Sequence, residues 1–175
     1  KSVEFIERKK LPVLGIIPSI EQRDESYSKN RSKENSKKLT NRVANGWKSI
    51  GNLQRRLVTH EDPKSPISEA YRSLRTSLMY TKKGDKGTIM VSSPGPGEGK
   101  TTTIINLAIT YANLGRRTLL VDTDLRRPVV HKVFDLDREP GVTTYLSSAT
   151  DDYTSLIQTC EIDNLSIITA GIIPP

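Results

Sequence analysis

The residues best suited to chemistry lie in one short stretch, Ser92-Ser-Pro-Gly-Pro-Gly-Glu-Gly-Lys100-Thr-Thr-Thr103. Glycines at 95, 97 and 99 let backbone N–H groups approach an anion. A helix that begins at Lys100 adds partial positive charge, and the lysine itself neutralises β- and γ-phosphates. The hydroxyl of Thr101 is placed to ligate Mg²⁺. The strict phosphate-loop pattern asks for glycine at position 94, where this chain has Pro94, but Gly99, Lys100 and Thr101 stand in register. Gly95, Gly97, Glu98, Gly99, Lys100, Thr101 and Thr102 are therefore the candidate nucleotide contacts, and a nucleotide with Mg²⁺ is the expected ligand.

Two carboxylates form a second constellation. Asp122 and Asp124 sit in Leu119-Leu-Val-Asp-Thr-Asp-Leu-Arg-Arg-Pro128, where a continuously apolar run ends. A carboxylate there can hold Mg²⁺ through water or accept a proton from an attacking hydroxyl. Aspartate is also a good cap, so Asp124 is open to a second reading as the residue that closes the following turn. Arg126 and Arg127 are open to two roles as well, neutralising phosphate or anchoring that turn. His131 carries no chemical pattern and reads as a packing or surface histidine.

Chemistry at these positions requires elements that bring them together. Residues 88–93 read as a short strand feeding the loop. Residues 101–114 are apolar nearly all round, which predicts a buried helix closed by Gly115. Residues 118–122 read as a buried parallel strand, and residues 165–169 as a third. Strand–helix–strand with a phosphate loop at the first turn implies a doubly wound α/β sheet of the P-loop NTPase type, with ligand at the carboxyl ends of the strands. Upstream, Ser65-Pro66 predicts a helix start, serine as cap and proline at the first helical position. Ile67, Tyr71, Leu74 and Leu78 form its apolar stripe. Glu69, Arg72 and Arg75 recur three apart, with a Glu–Arg pair at i, i+3 and a further arginine that has no partner within the pattern and suits a carboxylate on a neighbouring subunit.

Composition bounds the rest. The 175 residues allow one domain plus appendages, and a 34% hydrophobic content is low for a chain packed throughout. The net charge of +7 is uneven: residues 21–64 carry eleven Lys/Arg against six Asp/Glu, a net of +5. That run reads as a basic flexible linker, with acidic headgroups as the alternative partner. Within it, Val43, Trp47, Ile50, Leu53 and Leu57 keep helical spacing, consistent with either a basic amphipathic helix on a membrane or a loop docked by Trp47. Nucleic acid is not expected, because no aromatic residues interleave the basic ones. A single cysteine, Cys160, excludes an internal disulfide. No apolar run approaches the length of a membrane span. Residues 13–17, bounded by Pro12 and Pro18, read as an extended segment packed on something else.

Together, the loop, the apolar strand ending in Asp-x-Asp-x-Arg and the Glu69/Arg72/Arg75 spacing resemble the cytoplasmic kinase domain of bacterial tyrosine kinases, in the capsular and exopolysaccharide co-polymerase family. Ser92-Ser-Pro-Gly-Pro-Gly-Glu-Gly-Lys-Thr-Thr102 looks like the family's Walker A segment, and residues 119–126 look like its Walker A′. Glu69-Ala-Tyr-Arg-Ser-Leu-Arg75 looks like its ExxRxxR oligomerisation motif. Leu11-Pro-Val-Leu-Gly-Ile-Ile-Pro18 is similar to the segment that follows the second transmembrane helix in fused members, and Thr169-Ala-Gly-Ile-Ile-Pro-Pro175 to a segment preceding Walker B.

The resemblance implies a juxtamembrane segment at 1–20, the basic linker at 21–64 and the N-terminal part of a P-loop kinase domain at 65–175. It implies Mg²⁺- and ATP-dependent autophosphorylation on tyrosine at the cytoplasmic face of the bacterial inner membrane. Subunits would form a ring held by Glu69, Arg72 and Arg75, working with a fused or separate transmembrane activator and the polysaccharide polymerisation and export machinery. By position, Lys100 binds phosphate, Thr101 and Asp122 serve Mg²⁺, and Asp122 or Asp124 assists the tyrosine hydroxyl. The family's Walker B aspartate and tyrosine cluster have no counterpart here, and the six tyrosines are scattered. The chain therefore reads as an excerpt of a longer protein, expected by itself to fold poorly and catalyse little. Two other readings share the fold: a partition-type ATPase, whose signature lysine would occupy the position of Gly95, and a nucleotide-dependent ring scaffold that transfers no phosphate.

Overall fold

The computed structural model describes Ile6, Arg8 and residues 12–18, 57–81 and 87–172. The proposed amphipathic helix and most of the basic linker lie outside the described residues.

The organising element is helix α3, Lys100–Ala112. Ile105, Leu107, Ala108, Ile109 and Ala112 are all buried, so the all-round apolar pattern finds cover on several sides. Its C-terminus turns at Gly115, whose φ of +79° lies where only glycine sits without strain. Strand β1, Thr118–Val121, follows and pairs in parallel with β3, Leu165–Ile168. A two-residue strand β2, Gln158–Thr159, adds antiparallel to the far edge of β3, which gives the order β1-β3-β2. Leu120, Leu165 and Ile167 point to one face. There they meet Ile105 and Ile109 of α3 together with Val130 and Val133 of the short helix α4, Val130–Val133. Burying each such side chain is worth about 1.5–3 kcal/mol, so this layer outweighs the short ladder beneath it. On the other face Leu119 and Val121 remain exposed. The described elements thus show one side of the expected doubly wound sheet covered.

Residues 88–93 depart from expectation. They carry no strand, and among the described residues the sheet has three strands, none of them from this run. Met90 is 86% exposed. A β-rich composition favours strand only where a neighbour supplies the ladder and covers the side chains, and β1 pairs on the β3 side alone.

The region before α3 is more ordered than its composition suggests. Leu57–Lys64 was expected to close the linker, yet it contains a single-turn helix α1, Val58–Glu61, with Val58 and Thr59 buried. Helix α2, Pro66–Thr81, starts as the sequence predicts. The Ser65 hydroxyl accepts a hydrogen bond from the Ser68 amide at 3.2 Å, and Pro66 takes the first helical position. Ser68 in turn donates to the carbonyls of Asp62 and Val58, fastening α1 to α2. Val58, Ile67 and Tyr71 form a second small core with Ile17 packed against it, and the backbone at Gly15 lies beside Leu74. Residues 12–18 have no regular secondary structure but do pack, on the apolar stripe of α2.

Beyond the carboxyl end of β3, Thr169–Gly171 interlocks with residues 138–143. The amides of Val142 and Thr143 donate to the carbonyls of Thr169 and Ala170, and Arg138 Nε donates to the Gly171 carbonyl at 2.9 Å. A Cβ on Gly141 would overlap the Gly171 backbone, and one on Gly171 would overlap the Thr143 side chain at a φ of +83°. Gly141→Ala and Gly171→Ala are each expected to lower the stability by about 1–3 kcal/mol, as overpacking against backbone does. Urea denaturation midpoints measure this, and an unchanged midpoint in either variant contradicts the interlock.

Candidate functional site at the start of helix α3

The phosphate loop joins residues 88–93 to α3, and its glycines do what the sequence asks. Gly97 (φ +76°) and Gly99 (φ +89°) are left-handed, and Gly99 is the N-cap residue of α3. No side chain caps the helix start. A Cβ at either glycine would meet nothing within 4 Å, so the requirement there is torsional and the space beside the loop is open. The amides at the start of a thirteen-residue helix are left facing that space, which is the arrangement that attracts an anion.

Lys100 and Glu98 hold the loop through a single residue. Lys100 Nζ donates to the Gly95 carbonyl and to Ser93 Oγ, both at 3.2 Å, while the Gly95 amide donates to Glu98 Oε2 at 3.1 Å. Ser93 Oγ also donates to the Gly95 carbonyl at 2.9 Å. Both polar groups of Gly95 are therefore tied to the loop's own charged side chains. Thr101 and Thr102, in the first turn, are half-buried.

The two carboxylates separate by burial. Asp122 is buried just past the end of β1, where Oδ1 accepts from the Asp124 amide at 3.1 Å and Oδ2 from the Val130 amide at 3.2 Å. It anchors the turn from β1 into α4. Burial raises its pKa, the two amide bonds oppose that, and the nearby Asp124 charge adds to it. Asp124 is exposed and its Oδ1 accepts from the Arg127 amide at 3.0 Å, so it does close the following turn. Asp122 lies at the same end of the layer as the loop: the far end of α3 is tied to the strand starts by Asn164, which donates through Nδ2 to the Ala112 carbonyl and accepts the Thr118 amide. His131 has a buried Nδ1 with no hydrogen-bond partner among the described residues, and burial, then Lys132 and Arg138, push its pKa down, consistent with a neutral packing residue.

The α2 triplet is partly redirected. Glu69 and Arg72 pair at 2.9 Å and Arg72 also donates to the Pro63 carbonyl, all on an exposed face where such a pair is worth a few tenths of a kcal/mol. Arg75 does not wait unpartnered for a neighbouring subunit. Its Nη1 donates to the Thr110 carbonyl of α3 at 2.7 Å, and its Nε is buried with no partner among the described residues.

These residues fit a nucleotide. The uncapped helix start, left-handed glycines, open space and Lys100 suit phosphates. Thr101 Oγ1 and the second lone pairs of the Asp122 carboxylate suit Mg²⁺. No cluster of three or more His, Cys, Asp or Glu side chains occurs among the described residues, so a metal held by protein ligands alone has no site there.

Comparison with known proteins agrees. Residues 89–169 match the CobQ/CobB/MinD/ParA nucleotide binding domain. Over 124 residues the chain is 37% identical to the tyrosine-protein kinase YwqD of Bacillus subtilis, covering 70% of this chain and 52% of that one. Among solved structures it resembles the chimerical protein CapA2B2, with a TM-score of 0.72 and 31% identity over 99% of this chain and 62% of the other. It also resembles the kinase domain of the Escherichia coli tyrosine kinase ETK, with a TM-score of 0.74 and 26% identity over 99% of this chain and 60% of the other. These matches support a cytoplasmic domain of the bacterial tyrosine kinase type. Its P-loop NTPase fold follows from the same matches. It spans about half the length of some of the curated tyrosine-protein kinases it matches and 14–16% of others.

Sequence reasoning had no signal for Thr59, Asn106 or Tyr71 as supports of the loop helix. Their contacts span tens of residues.

The raised pKa of Asp122 has a defined sign. A carboxyl that protonates more readily folded than unfolded adds stability that is complete below the unfolded pKa and lost as pH rises through the raised folded value. A ¹³C NMR titration of the Asp122 carboxyl is expected to show a midpoint above 3.8. A midpoint at or below that value contradicts the burial account.

Proposed function

We propose that this domain binds ATP with Mg²⁺ and transfers phosphate to tyrosine hydroxyls, including those of neighbouring copies. It would do so at the cytoplasmic face of a bacterial membrane, in the control of capsular or exopolysaccharide assembly. The observation that carries the reading is the uncapped start of α3 behind left-handed Gly97 and Gly99, with Lys100 as its first residue, in a domain of this kinase type. Bound Mg-ATP supplies the transferable γ-phosphoryl group.

The chain's own residues position and neutralise it. Lys100 gives up its bonds to Ser93 and Gly95 and turns its charge to phosphate. The α3 amides and the loop glycines would cradle the phosphates, and Thr101 and Asp122 are the residues that would hold Mg²⁺. Asp124, exposed, is better placed to meet an incoming tyrosine hydroxyl than Asp122, which is enclosed by the turn it anchors. Glu69 and Arg72 lie on the solvent face of α2 and are available to a neighbouring copy in a ring. The Arg75 bond to Thr110 assigns that arginine first to its own chain.

In the full-length protein, Lys100→Met is expected to lower tyrosine phosphorylation about a hundredfold or more, the scale for removing a cation that stabilises the transferring group. A phosphotyrosine blot after incubation with Mg-ATP measures it. Equal signal in both proteins places the site elsewhere, and ATP hydrolysis without phosphotyrosine in the wild type leaves a nucleotide switch in place of a kinase.

A further inference from the structure

One buried polar group in α3 has no role in holding nucleotide. Asn106 is 0% exposed in the middle of an apolar helix, yet both the oxygen and the nitrogen of its amide are hydrogen-bonded. Its Oδ1 accepts from both the amide and the hydroxyl of Thr59, each at 2.9 Å, and its Nδ2 donates to the Thr102 carbonyl at 2.8 Å. Thr59 is itself buried in α1, 47 residues away in sequence. The third of these bonds lands in the first turn of α3, next to Thr101 and two residues from Lys100.

Other contacts fall on the same side of the helix. The Tyr71 hydroxyl of α2 interacts with the Thr103 side chain, and Arg75 reaches the Thr110 carbonyl. Positions 102, 106 and 110 are four apart and so share one face of α3. The α1–α2 unit thus grips α3 along that face, with the end of the grip at the turn that carries the phosphate loop. Packing alone would be met by leucine at 106. The amide instead links a fixed point on α1 to a fixed point behind the loop, and a buried hydrogen-bonded network of this kind specifies geometry.

We propose that Thr59 and Asn106 are positioning residues of the phosphate site. Acting through Thr102, they hold the first turn of α3 in the orientation that aims Lys100 and Thr101, and so make the affinity of the loop depend on where α2 sits. Contacts made on the outer face of α2, at Glu69 and Arg72, then reach the nucleotide through this pair. The inference rests on the nucleotide-binding part of the proposed function, not on phosphate transfer.

The test is equilibrium binding of a fluorescent ATP analogue with Mg²⁺ to the full-length protein, its Thr59→Val variant and its Thr59→Ser variant. Circular dichroism of each protein without nucleotide accompanies it. Valine keeps the shape and backbone amide but removes the hydroxyl donor, whereas serine keeps the hydroxyl. The Thr59→Val Kd is expected to rise about three- to tenfold, the scale of one buried hydrogen bond. Thr59→Ser is expected to stay within about twofold of wild type, with the three spectra superimposing. An unchanged Kd in Thr59→Val overturns the proposal. So does a Thr59→Ser variant weakened equally, or a Thr59→Val variant that loses its fold, because each assigns the pair to packing. A wild type that binds nucleotide but makes no phosphotyrosine overturns the kinase reading alone, and one that binds no nucleotide overturns both.

Discussion

A helix that is to receive an anion must leave its first amides unsatisfied, and every other feature of this fold follows from holding such a helix by its body. Helix α2 can afford a cap, and Ser65 provides one. Helix α3 cannot, since a side chain at its start would occupy the place of the phosphates. A lost cap costs about 1 kcal/mol. Ile105, Leu107 and Ile109, buried along α3 at about 1.5–3 kcal/mol each, offset that several times over. The anchoring of its far end by Gly115 and Asn164 completes the arrangement: secure at the back, open at the front.

Much of this was legible from residue types. The Ser65-Pro66 start, the all-round apolar helix ending at Gly115, and the short aliphatic runs at 118 and 165 are local signals, set by torsions and burial that nearest neighbours impose. The loop was legible for the same reason, because left-handed glycines before a lysine have few alternative uses. What local signals missed was decided by distant partners. Residues 88–93 have the composition of a strand, but a strand exists only as part of a ladder. Leu57–Lys64 has the composition of a linker, but Thr59 meets Asn106 and is drawn into the core. Asp122 and Asp124 are the same side chain two residues apart. Only the turn from Asp122 into α4, closed on the Asp122 carboxylate by the Val130 amide, makes one buried and the other exposed.

Arg75 shows how one motif can serve two scales. Spacing alone suggested three residues presented outward, yet their environments divide them: Glu69 and Arg72 face solvent, and Arg75 lies over Thr110. The helix whose outer face carries Glu69 and Arg72 is the same one that packs on α3 through Arg75. Its apolar stripe is also where residues 12–18 rest, through Ile17 and Gly15. Segments far apart in sequence therefore converge on α2, and α2 touches the nucleotide element directly.

The interlock of Gly141 with Gly171 has a directional consequence. Because the backbones cross there without side chains between them, and Arg138 clasps the Gly171 carbonyl, the chain passes this point along one bearing, like a rope through a cleat. The loop that precedes it, from 138 to 143, acts as the fitting that sets the angle. Ile172 therefore leaves from the carboxyl edge of the sheet, the edge where Asp122 lies, on a bearing set by 138–143 and not by its own side chain.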